Sequence, residues 1–63
     1  MNRAKLILHL LKHGCILLRE GSRHSIYKNL ITGAQTTVPR KSTLLLFTAK
    51  GICKQLGVSW FRK

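Results

Sequence analysis

Residues 15–39 read CILLREGSRHSIYKNLITGAQTTVP, and three short runs within them carry strand character. CILLR (15–19) is apolar and stops at Glu20-Gly21-Ser22. HSIYK (24–28) alternates and contains Ile26 and Tyr27, both good strand residues. TTV (36–38) is β-branched and ends at Pro39, which has no N–H to give a ladder. Gly21-Ser22 and Thr32-Gly33 are turn signals between the runs. A three-stranded antiparallel meander is predicted.

Helical periodicity flanks it on both sides. Asn2 is an N-cap candidate, and Ala4, Ile7, Leu8, Leu10 and Leu11 recur at helical spacing, with Leu6 near the boundary. Lys5, His9 and Lys12 fall on the other side of the wheel, and Gly14 supplies a left-handed stop, so residues 2–13 are predicted as a helix. The second helix is expected in STLLLFTAKGICKQLG (42–57). Ser42 or Thr43 would cap it, Leu44, Phe47, Ala49, Ile52, Cys53 and Leu56 would form its buried face, and Gly57 would end it. Two amphipathic helices have one face of a small meander to cover. The expected fold is therefore α+β with the order α-β-β-β-α, one domain over residues 1–63, both helices on one face of the sheet. The order is that of double-stranded-RNA-binding domains, an analogy of topology alone.

Twelve Lys or Arg residues face one acid, Glu20, for a formal net charge of +11. Such a surface concentrates polyanions, nucleic acid first and anionic membrane second. With 63 residues the core is thin, and any catalysis falls to a few side chains on an open surface. Cys15 and Cys53 make no CxxC pair and read as small buried hydrophobes; a disulfide in a secreted miniprotein is the competing reading. The apolar run that opens in MNRAKLILHLL is interrupted by His9 and stopped by Lys12, and no cleavage pattern follows. No membrane span is expected, and the location expected is cytoplasmic.

HGCILLREGSRHSIYKN, then VPR, then ICKQLGV resembles the HicA family of small mRNA-cleaving toxins from bacterial toxin–antitoxin pairs. The similar segments run from His13 to about Val58. The resemblance implies a fold like that of double-stranded-RNA-binding domains, a cognate HicB-type antitoxin, and metal-independent RNA cleavage that depends on one histidine. Gly21, Ser22 and His24 match the family's G-S-x-H element, so the catalytic role is carried over to His24. The chain departs from the family in VPRKSTL, where Lys41 stands in place of the usual histidine and Thr43 near the usual acid. The unusually apolar LLLF follows.

The residues suit that chemistry. RNA brings its own nucleophile, the ribose 2′-OH, so cleavage needs proton transfer and charge stabilisation. A histidine with an unperturbed pKa near 6.5 moves such a proton at neutral pH. Ser22, Arg23, Lys28, Arg40 and Lys41 are the expected RNA contacts, the cations offsetting charge on the phosphate. Gly21 reads as a backbone device for the tight turn. His9 and His13 read as solvent-facing; with no third ligand in sight, neither a metal site nor a cofactor is expected. Tyr27 reads as core more than as a base-stacking platform. Phe61, beside Arg62 and Lys63, reads as a cover for the core; for Trp60 both core and RNA contact stay open.

The partners expected are mRNA and a HicB-like antitoxin, with the chain a monomer or a hetero-oligomer with that antitoxin. Two other readings compete: a non-catalytic RNA-binding module, and a secreted cationic peptide with a Cys15–Cys53 disulfide.

Overall fold

The computed structural model describes residues 1–61; Arg62 and Lys63 lie outside the described residues. The order is α1 (Arg3–Lys12), β1 (Cys15–Glu20), β2 (His24–Asn29), β3 (Gln35–Pro39) and α2 (Leu46–Leu56). The three strands form one antiparallel sheet in the order β1-β2-β3. The fold is the α+β arrangement predicted, with one sheet face open.

Asn2 starts α1 as expected: its side chain accepts from the backbone N–H of Ala4 and Lys5. The buried face differs from the predicted one. Leu6 and Leu10 are buried, whereas Ala4, Leu8 and Leu11 are exposed. The helix is rotated because Arg3, one turn before Leu6 and Ile7, must also face the sheet. Its guanidinium donates to the Pro39 carbonyl at 2.7 Å and to the Ser25 hydroxyl at 3.0 Å.

The second helix starts later than predicted. Ser42 and Thr43 do not cap it; Leu45 is the N-cap residue, and it makes no side-chain hydrogen bond. The cause lies in backbone pairing. Residues 42–44 are held extended against the chain start, with Arg3 N–H donating to Ser42 O and Leu44 N–H to Met1 O, around an Asn2–Thr43 bridge. Leu44 is thereby buried ahead of the helix, and Phe47 turns outward instead of joining the core. Ala49, Ile52, Cys53 and Leu56 form the buried face, as predicted, and Gly57 ends the helix in the left-handed conformation.

The core joins Leu6 and Leu10 of α1, Cys15, Tyr27 and Val38 of the sheet, and the buried face of α2. Each fully buried Leu is worth about 2 kcal/mol relative to exposure. Cys15 and Cys53 are both buried and unpaired. Burial pushes both thiols above their ordinary pKa, and the neighbouring Cys15 raises Cys53 further. The apolar run of β1 was expected to be buried, but only Cys15 is; Ile16, Leu17 and Leu18 are partly exposed. β1 is an edge strand, and a bulge at Leu18 breaks its alternation between Leu17 and Arg19. That one extra residue sends Arg19 to the open face, opposite Ile26, and Glu20 to the helix side, opposite Ser25.

Candidate RNA-cleavage site

The β1–β2 turn is closed by the Gly21 N–H, which donates to the His24 carbonyl at 2.7 Å. A Cβ on Gly21 would stand 2.8 Å from that same carbonyl oxygen. The approach leaves no room for any other residue at position 21. Its glycine is needed for closeness and not for a left-handed backbone, since only Gly14, Gly33 and Gly57 have positive φ.

Behind the turn lies a polar brace built on the chain's one acid. Glu20 accepts from the Ser25 hydroxyl, which in turn accepts from Arg3. On its other side the Arg40 guanidinium stands 3.7 Å from Glu20 and donates to the Gly21 carbonyl at 3.0 Å. The Arg40 backbone N–H also reaches the Arg23 carbonyl at 3.1 Å. The brace therefore stitches the 21–24 turn to the strand end at Pro39-Arg40. Ser25 is completely buried, yet both roles of its hydroxyl are filled.

His24 projects from this braced corner. It is exposed, pairs with Pro39 across the ladder, and its ring has no hydrogen-bond partner among the described residues. Two shallow grooves meet at it. One, of about 370 Å³, is lined by Arg19, Gly21, Ser22, Arg23, His24, Ile26 and Thr37. The other, of about 320 Å³, is lined by Arg23, His24, Pro39, Arg40 and Lys41. Cations thus flank His24 on both sides, in two open depressions and not in an enclosed cavity.

Four of the five predicted contacts gather here around His24: Ser22, Arg23, Arg40 and Lys41. Arg40 is the least free of them, since its guanidinium already holds Glu20 and Gly21. Lys28 shares the open face but lines neither groove. It sits at the far end of β2, about 13 Å from His24 at strand rise. Arg19 and Thr37 were missed. Simple alternation from Cys15 places Arg19 with the core, and only the bulge turns it into the groove.

The remaining candidates are placed elsewhere. Tyr27 is buried among the core residues. His9 is not simply solvent-facing: its ring bonds the Ser59 carbonyl at 2.7 Å and stacks on Phe61 at 4.0 Å. His13 is exposed, with its Nδ1 2.8 Å from the His9 carbonyl. Phe61 covers His9 and not the core, while Trp60 packs against the core beneath Lys50. No helix among the described residues is long and apolar enough to cross a membrane.

A family model described as the HicA toxin of bacterial toxin–antitoxin systems matches residues 3–58. No curated protein and no solved structure matches the chain.

Proposed function

The chain belongs to the HicA toxin family of bacterial toxin–antitoxin systems, and from that premise we propose that it is a metal-independent mRNA endoribonuclease with His24 as its proton-transfer residue. Toxins of this family are generally ribonucleases, and membership implies an antitoxin partner that holds the toxin in check. The observation that carries the reading is the position of His24, exposed and without a ring partner among the described residues, where two cation-lined grooves meet.

An RNA strand laid through the grooves brings a phosphate to His24. The imidazole takes the proton of the adjacent 2′-OH as the 2′ oxygen attacks phosphorus. The bond from phosphorus to the 5′ oxygen breaks, water supplies the proton to that leaving oxygen, and a 2′,3′-cyclic phosphate remains. Arg19, Arg23 and Lys41 stabilise the charge that gathers on the phosphate oxygens, with Ser22 a further contact. Arg40 acts mainly on the turn, which it fixes through Gly21. Purified protein is expected to cleave RNA in EDTA and leave cyclic-phosphate ends. His24→Ala is expected to lose at least about a hundredfold in rate with an unchanged circular-dichroism spectrum, because an exposed side chain carries no core contacts. Cleavage that persists in His24→Ala, or that EDTA abolishes, overturns the mechanism.

The non-catalytic RNA-binding reading has one observation in its favour. Glu20 is committed to the helix side of the sheet, so among the described residues no carboxylate orients the His24 ring. Wild-type protein that binds RNA without cutting it would decide for that reading. The silencing partner is taken to be an acidic HicB-type antitoxin laid over the His24 surface, where opposite charge speeds encounter and occupancy excludes RNA.

A further inference from the structure

Leu45-Leu46-Phe47 is the part of the sequence that cleavage leaves unused. Leu45 is 75 % exposed and Phe47 is 87 % exposed, with Leu46 standing out between them. Leu45 also occupies the N-cap position of α2 and makes no capping bond there. Ser, Thr, Asp or Asn at that position would satisfy a free helix N–H. Consecutive positions thus carry side chains poorly suited both to solvent and to starting a helix, and none of the three joins the core. Local rules broken without internal gain mark a surface kept for something outside the chain.

Charge narrows what that is. A second copy would bring another net charge of +11 against this one, and the single acid, Glu20, is already engaged by Ser25 and Arg40. RNA bases seek π faces or hydrogen-bonding groups, and two of these three side chains are aliphatic. A protein segment with apolar residues set among carboxylates meets both conditions. Its apolar side chains cover the patch, and its acids reach Lys41 and Lys50, both exposed beside it. The depression under the patch is lined by Lys41, Thr43, Leu44, Leu45 and Thr48, and Lys41 also walls the groove at His24.

The geometry points to Leu45, Leu46 and Phe47 as the anchor for an acidic, apolar segment of the partner antitoxin, adjoining the His24 surface but separate from it. The inference rests on the chain's place in a toxin–antitoxin family and is independent of whether His24 cleaves RNA.

The test is a backbone-amide NMR titration with a short synthetic peptide of alternating Glu and Leu, a Glu/Ser control peptide, and a single-stranded RNA oligonucleotide of similar length. The variant is Leu45→Ser with Phe47→Ser, two exposed positions, one of which gains a capping residue, so the fold is retained. Peptide-induced shifts are expected to centre on residues 44–48. Affinity is expected to fall at least about tenfold in the variant and for the Glu/Ser peptide, while RNA cleavage by the variant matches wild type. Equal binding of the Glu/Ser peptide would mean charge alone and overturn the proposal. So would shifts centred on another surface, RNA perturbing Leu45–Phe47 in place of the peptide, or self-association that the variant abolishes. Loss of cleavage in the wild type would bear on His24 only.

Discussion

Asn29 and His24 close the two ends of the same strand and are treated in opposite ways. Asn29 is buried, and both halves of its amide are used. Its oxygen accepts from the Ile31 and Thr32 N–H groups of the hairpin turn, and its nitrogen donates to the Leu56 carbonyl at 2.7 Å, where α2 finishes. His24 is exposed, with its ring unpartnered among the described residues and its backbone gripped by Gly21 and the brace behind it. At one end a polar side chain is spent on the fold. At the other the fold is spent on presenting a polar side chain. In so thin a protein, a side chain that holds the fold and the side chain proposed for chemistry stand at opposite ends of one strand, so each is expected to be lost without the other.

That separation can be broken by substitution, and the largest effect is expected at the buried end. Asn29→Ala removes three hydrogen bonds and leaves the Leu56 carbonyl without its partner, a loss of about 3 kcal/mol in chemical denaturation. Cleavage per folded molecule should be unchanged. A variant that stays stable, or one that folds but does not cut, would erase the contrast.

Gly21→Ala sharpens it from the other side. The added methyl meets the His24 carbonyl at 2.8 Å, which forces the turn to shift. The expected cost is about 2 kcal/mol, together with a fall in cleavage of at least about tenfold as His24 moves in its groove. Denaturation and RNA cleavage, measured on the same preparation, separate the two effects; full activity in this variant would show that turn geometry is irrelevant to the site. Glu20→Gln should be the mildest. The Glu20–Arg40 pair is half-exposed and worth less than about 1 kcal/mol. Ser25 can still donate to the amide oxygen, so a cleavage rate within a few-fold of wild type is expected. A loss of folding on this change would mean that the single acid holds the whole corner and not merely the turn.

The sheet and the overall order of elements were legible because they depend on local signals: β-branched runs, turn glycines, Pro39, Asn2 as a cap. Their positions survive whatever the neighbours do. In both helices a distant partner overrides the local pattern. Leu44 to Phe47 read as the opening of a helical face, but pairing with residues 1–3 keeps Leu44 extended and turns Phe47 out. The buried stripe of α1 departs from the apolar periodicity because a charged residue, Arg3, faces inward, held there by its bonds to Pro39 and Ser25. At the site, Gly21 and His24 could be found from the turn and the family-like motif. Arg19 could not, since nothing in CILLRE signals the bulge at Leu18 that reverses the alternation after it.

The two buried thiols have a consequence of their own. Cys15 begins β1 and Cys53 lies on the inner face of α2, so no single fraying end exposes both. Burial keeps each protonated beyond the ordinary thiol range, and it is the thiolate that reacts. Modification by an alkylating reagent must therefore wait for the molecule to open. The chain carries an internal clock: labelling of Cys15 against Cys53 distinguishes the edge strand peeling away from the whole core coming apart, under native conditions and without denaturant.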